Sequence, residues 1–189
     1  TFRASSAYAA AVVSSIPANL LALVLFAGIM YWIVGLDADV TKFFTYMGVF
    51  ILHQWASLSI GLMIGSIVPD VATALVVGPM FLIILVVFGG NFVNLSTVTP
   101  ALRWIQYISP INYTYKALAQ NEFAGLVFDD CAAGTQGCLA TGEAAIKFFD
   151  LGDPELWICI VGLCSIIVGT LSLGYLAFRR TTKPLQRLK

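Results

Sequence analysis

The sequence predicts an all-α integral membrane protein with four transmembrane helices, and three observations carry that prediction. Hydrophobic residues make up 59% of the 189-residue chain and charged ones 11%, with a mean hydropathy of +0.90; soluble domains are roughly half apolar and a quarter charged. Four long stretches contain no Asp, Glu, Lys or Arg, and each reaches the roughly 20 residues a helix needs to cross about 30 Å of hydrocarbon. The remaining charges are segregated: Arg179, Arg180, Lys183, Arg187 and Lys189, half of the ten basic residues, close the chain.

Residues 1–15 carry only Arg3 as a charge and are rich in alanine and serine. They read as a juxtamembrane helix at the membrane surface, with Pro17 opening a first span over residues 16–36. A turn over 37–42 leads to a second span, 43–69. Asp70 is placed to cap the third, assigned to 71–93. The charge-free run there continues to Leu102, more than one span needs, so the helix is expected to end near Gly89-Gly90 and Asn91. Pro79 lies inside it, which a bundle tolerates when neighbours re-satisfy the freed carbonyl. Residues 94–155 form a loop containing a re-entrant helical hairpin. The stretch 104–123 is apolar in places, but Arg103, Lys116 and Glu122 flank or interrupt it and Pro110 and Asn112 break it. A charge at the bilayer centre costs about 2.5–3.5 kcal/mol, so a fifth span is rejected. Trp104, Tyr107, Tyr113 and Tyr115 are expected at headgroup depth. The last span is 156–178, followed by a basic tail, 179–189.

Four spans put both ends on one side, and the positive-inside rule makes that side cytoplasmic. The loop 94–155, with seven acidic residues from Glu122 to Glu155 against Arg103, Lys116 and Lys147, then faces the exterior. Cys131 and Cys138 fall in this loop, where an oxidising compartment would let them pair. Asn94 and Asn112 head two N-x-[ST] sequons there; the motif is short and both asparagines lie near the bilayer, so a chance match is the simpler reading.

Several function classes are excluded on residue grounds. The phosphate loop G-x-x-x-x-G-K-[ST] does not occur in these residues, so ATP chemistry is expected outside them. No paired carboxylates or activated nucleophile lie in the spans, which argues against a membrane enzyme. A passive channel or scaffold is the alternative to a transporter, but His53, Gln54, Asn91 and scattered hydroxyls are too few for an ion path. His53 lacks a second ligand at metal spacing and is expected to pack inward, away from lipid. Cys159 and Cys164 are expected to act as small apolar side chains. No metal site and no nucleic-acid partner are expected.

The order of features resembles the transmembrane half of subfamily G, White-type, ATP-binding-cassette half-transporters over nearly the whole chain. The matching residues are Arg3 with Ser6-Ala7-Tyr8, Ile16-Pro17, Ser59-Ile60-Gly61 and Phe88-Gly89-Gly90-Asn91-Phe92-Val93-Asn94. Trp104-Ile105-Gln106-Tyr107-Ile108-Ser109-Pro110, Asn121-Glu122-Phe123 and Thr141-Gly142-Glu143 follow in order.

The resemblance implies that residues 1–15 are a cytoplasmic coupling helix, with Arg3 and Tyr8 touching a nucleotide-binding domain, and that the spans are helices three to six of six. The sequence begins at Thr1, and the ATPase domain and two further spans are expected to precede it. The family's pattern further implies a homo- or heterodimer of half-transporters, ATP and Mg²⁺ in the nucleotide-binding domain, and alternating access to a central cavity for a hydrophobic small molecule. The third span would line that cavity through Ile83, Val86, Val87, Phe88 and Phe92. The leucine pair that often forms a valve above the cavity is replaced here by Asn91 and Phe92. Cys131 and Cys138 would form a disulfide within the loop, with a bridge between subunits or free thiols as alternatives. A plasma-membrane location is expected.

Overall fold

The computed structural model describes residues 4–68, 70–90, 99, 102, 104–128 and 139–186. The described elements are α1 (Ala4–Val34), α2 (Val40–Ile67), α3 (Val71–Val87), a 3₁₀ turn (Trp104–Tyr107), α4 (Pro110–Phe123), α5 (Gly142–Phe148) and α6 (Leu156–Gln186). The all-helical membrane fold is as expected. By length and composition α1, α2 and α6 can each cross a bilayer. α3 is apolar but has 17 residues, about 26 Å at 1.5 Å per residue, the short end of the spanning range.

The helix boundaries differ from the expected ones where tertiary structure intervenes. No break occurs at Pro17: α1 is a single helix of 31 residues that carries the proline inside it, so the surface helix and the first span are continuous. The hydroxyls of Ser14 and Ser15 donate back to the Ala11 carbonyl at 3.2 and 2.8 Å, as serines do in apolar surroundings. α1 stops at Gly35, whose φ of +72° only glycine adopts freely. There Leu36 N–H bonds back to the Tyr31 carbonyl at 3.3 Å, closing a Schellman-type end.

α2 begins earlier than the charge-free run, because Asp39 caps it through the amides of Thr41 (2.6 Å) and Lys42 (3.3 Å). α3 starts on Asp70, which accepts from the Thr73 amide at 2.8 Å and the Thr73 hydroxyl at 2.7 Å. The Thr73 amide, then its hydroxyl, holds the Asp70 carboxyl below the usual carboxylate range. A depressed carboxyl contributes above the ordinary Asp pKa and is lost only as pH falls through the lowered value, so this cap does not titrate near neutrality. α3 ends at Val87 with Phe88 as its cap and Gly90 at φ +80°; residues 91–93, assigned to the same span, lie outside the described residues. α6 continues through Arg179 and Arg180 to Gln186, so the first part of the basic tail is helical.

α2 and α6 form the spine, and they meet closely where glycine permits it. A Cβ at Gly174 would come 3.1 Å from Met63 Cα and 2.6 Å from the Tyr8 hydroxyl. Such close backbone approach replaces the hydrophobic effect as the source of helix association in lipid. At the other end, Ala27, Tyr31 and Tyr46 form a buried cluster between α1 and α2, with Tyr31 edge-on to Phe43 at a centroid distance of 5.0 Å. α3 packs mainly on α2 and α4. Leu85 is the buried residue of α3, while Val71, Leu75 and Met80 stand out from the fold.

Candidate functional site

α4 lies among the helices. Ala117 packs with Val49 of α2 and Cys159 of α6 in one buried cluster. Tyr113 lies against Gly162, where a Cβ would sit 2.7 Å from the ring. Thr114 Oγ1 and His53 Nδ1 are 2.9 Å apart. Lys42, Val49 and His53 of α2 thus meet Asn121, Ala117 and Thr114 of α4 in reverse order, so α4 runs antiparallel along the first turns of α2. His53 is about 20 Å along α2 from its start at 1.5 Å per residue, which sets how far the hairpin reaches. Tyr113 packs half-buried against Gly162 of α6, while Trp104 and Tyr107 are exposed.

Polar groups in this seam are nearly all bonded, as an apolar setting demands. Ser59 and Thr170 share a 2.7 Å hydroxyl bond between α2 and α6. Gln120 donates to the Leu151 and Pro154 carbonyls at 2.6 and 2.8 Å. Asn112 donates to the Gln106 carbonyl at 3.3 Å, and its Oδ1 is buried without a partner. Asn112, which heads the second sequon, is 3% exposed inside α4. His53→Leu and Thr114→Val in a double-mutant cycle are expected to show a coupling of about 0.6 kcal/mol, the average for interhelical hydrogen bonds in membranes. Additive losses in thermal unfolding would show that the pair does not interact.

At the far end of α4 the structure gathers residues that sequence reasoning treated separately. Lys42 Nζ lies 2.7 Å from Asp37 Oδ2 and donates to the Glu122 and Ala124 carbonyls at 3.1 and 2.9 Å. Asp37 N–H donates to Glu122 Oε1 at 2.8 Å, Asn121 donates to the Lys42 carbonyl at 3.0 Å, and the Tyr31 hydroxyl donates to the Asp37 carbonyl. A cation on the last carbonyls of α4 also opposes the negative end of its dipole. Glu122 and Lys116, six residues apart on α4, do not pair with each other. Instead Glu122 serves the α1–α2 turn and Lys116 donates to the Asp153 carbonyl.

The expected cavity residues lie on the C-terminal half of α3 and at its cap: Ile83 is 60% exposed and Val87 37%, with Val86 and Phe88 half-buried. Phe92, Asn91, Asn94, Arg3, Cys131 and Cys138 lie outside the described residues. Tyr8 stacks near Tyr175 and Phe178 with centroids 6.0 and 5.9 Å away, and its hydroxyl donates to the Leu171 carbonyl at 3.3 Å, so its ring braces α1 on α6. Ile16, Asn19 and Leu23 of α1 and Gln54, Trp55 and Leu58 of α2 border a shallow groove. Among the described residues no three His, Cys, Asp or Glu side chains are placed to hold a metal. In the loop, Glu143 accepts from the Gly125 amide at 3.1 Å; its own amide and then that of Gly125 hold its carboxyl below the usual range.

Long apolar helices with a hairpin folded back among them are the architecture of a transporter's membrane domain, where irregular backbone is tolerated because protein surrounds it. Residues 1–123 match the family described as ABC-2 type transporter, and the chain belongs to that family. It is 27% identical to ABC transporter G family member 7 of Arabidopsis thaliana over 94% of the chain and 24% of the relative. Protein white of Drosophila melanogaster is 28% identical over 94% of the chain and 26% of its own length. The Broad substrate specificity ATP-binding cassette transporter ABCG2 of Bos taurus is 32% identical over 93% of the chain and 28% of the relative. The resemblance to the G subfamily thus extends along nearly the whole chain, which spans about a quarter of the length of these relatives.

Proposed function

We propose that this chain is the membrane-spanning part of an ATP-driven exporter that moves lipidic or amphipathic small molecules by alternating access. The observation that carries the reading is the match to G-subfamily transporters along more than nine-tenths of the chain, one of them described as an ATP-binding cassette transporter of broad substrate specificity. In this reading α3 is the cavity wall: Ile83, Val86, Val87 and Phe88 offer apolar contact, with Asn91 and Phe92 above them in the place of a valve. Apolar walls with few polar groups bind greasy molecules by area and leave orientation loosely specified.

Such a chain works as half of a homo- or heterodimer in the plasma membrane, with both ends cytoplasmic and Cys131 and Cys138 bridged in the exterior loop. ATP and Mg²⁺ belong to a nucleotide-binding domain outside these residues, whose sequence holds no phosphate loop. Arg3 is the candidate contact to that domain. Tyr8, packed on α6, holds the same end of α1 in place.

The test is ATP hydrolysis and uptake by the full-length transporter in proteoliposomes, with a cationic rhodamine dye and a fluorescent sterol as probes. Ile83→Ala and Phe92→Ala are expected to raise the half-maximal probe concentration by about tenfold, the equivalent of roughly 1.4 kcal/mol of lost apolar contact. Unchanged stimulation for both probes would remove the two residues from the site. Probe flux that ignores ATP would replace the exporter reading with a passive channel.

A further inference from the structure

The two ends of α4 are fastened to different partners by different chemistry. At its start, Ser109 occupies the N-cap position yet makes no side-chain bond to its own helix. Its hydroxyl donates instead to the Leu85 carbonyl of α3 at 2.8 Å, with Ser109 fully buried and Leu85 3% exposed. That carbonyl needs a donor, because Gly89 N–H bypasses it for the Val86 carbonyl at 3.1 Å; it is one of the orphan acceptors of a helix end. One residue pair further on, Gly89 lies so close to Ile111 that a Cβ would fall 2.7 Å from Ile111 Cγ2. The last turn of α3 is therefore capped and held by the hairpin. Leu85, the buried residue of an otherwise exposed helix, sits at this joint.

At its other end α4 is held by Lys42, which reaches the Glu122 and Ala124 carbonyls while paired with Asp37, and by Glu122 Oε1 on the Asp37 amide. Between the two joints lie the 14 residues of α4, about 21 Å of helix at 1.5 Å per residue. A helix with both ends fixed transmits displacement along its axis, since its own hydrogen bonds resist stretching.

We propose that α4 is a strut that makes the Leu85–Gly89 end of α3 move with the α1–α2 turn, with Lys42 and Ser109 as the positioning residues at its two ends. The proposal is independent of what is transported or whether ATP drives it. Its failure would leave the exporter reading intact, and loss of the exporter reading would leave the strut.

Hydrogen–deuterium exchange of the full-length protein in lipid nanodiscs reads both joints at once. Ser109→Ala is expected to speed exchange of the amides at 86–90 by about fivefold, the loss of one buried hydrogen bond. Lys42→Met, at the remote end, is expected to speed the same amides by about threefold, while Lys42→Arg leaves them unchanged. By reciprocity Ser109→Ala must also speed exchange at 37–42. If Lys42→Met acts only on 37–42 and 120–125 and leaves 86–90 as in the parent, the strut is wrong. Should Lys42→Met loosen α6 as well, and so unfold the bundle, Asp37→Asn takes its place and is read by the same two outcomes.

Discussion

Gly174→Leu is expected to push α6 away from α1 and α2 and to cause the largest loss of stability among single substitutions in the spans. A Cβ at this position meets Met63 Cα at 3.1 Å and the Tyr8 hydroxyl at 2.6 Å. Tyr8 can swing away, but a neighbouring helix backbone cannot move by rotating a bond. Overpacking of this kind costs roughly 1 to 3 kcal/mol, and here it also breaks the small-residue contact that lets α2 and α6 approach in lipid. Thermal unfolding of the purified protein, read by tryptophan fluorescence or by cysteine exposure, checks it. Gly169→Ala is the control: it lies on the same helix with no atom near its added Cβ, and should leave the midpoint unchanged.

The second large effect is expected at Gly162, where α6 admits the hairpin. Its added Cβ would lie 2.7 to 3.0 Å from three atoms of the Tyr113 ring, and that ring is further tied by its hydroxyl to the Tyr107 carbonyl at 3.2 Å. Gly162→Leu should therefore push α4 off α6, at a cost of roughly 1 to 3 kcal/mol, and expose Cys159, which is buried beneath Ala117. Faster thiol labelling at Cys159 is the measurement. Because a side chain is the obstacle here, Tyr113→Ala is expected to restore much of the packing in the Gly162→Leu background. A double variant as labile as Gly162→Leu alone would mean that the hairpin is not seated on this glycine.

The membrane fold was legible because lipid imposes a coarse rule: charge-free runs of spanning length must be helices. The Asp70 cap followed from local chemistry, and α3 ends at Val87, two residues before Gly89 and short of the span assigned to 71–93. Lys116, Glu122 and Pro110 are the grounds in the sequence against a fifth span. Their partners were not legible, because Lys42 with Glu122 and Lys116 with Asp153 join residues far apart in sequence. Pro17 misled for a related reason: a proline marks a helix start in water, whereas in this helix it is carried in the interior. Ser109 precedes Pro110, and nothing local in the sequence names its partner. That its hydroxyl caps another helix could be found only once α3 and α4 were seen together.

Whether α4 lies within the helical layer is decided by cross-linking Val49→Cys to Ala117→Cys in native membranes with a short bifunctional thiol reagent, in full-length protein in which Cys159 and Cys164 are replaced by alanine. The buried contact between these two side chains predicts a bridge between them, and none between Val49→Cys and a cysteine at exposed Tyr107. Bridging to position 107 without bridging to 117 would put the hairpin on the membrane surface and dissolve the seam on which the joints at Lys42, His53 and Ser109 depend.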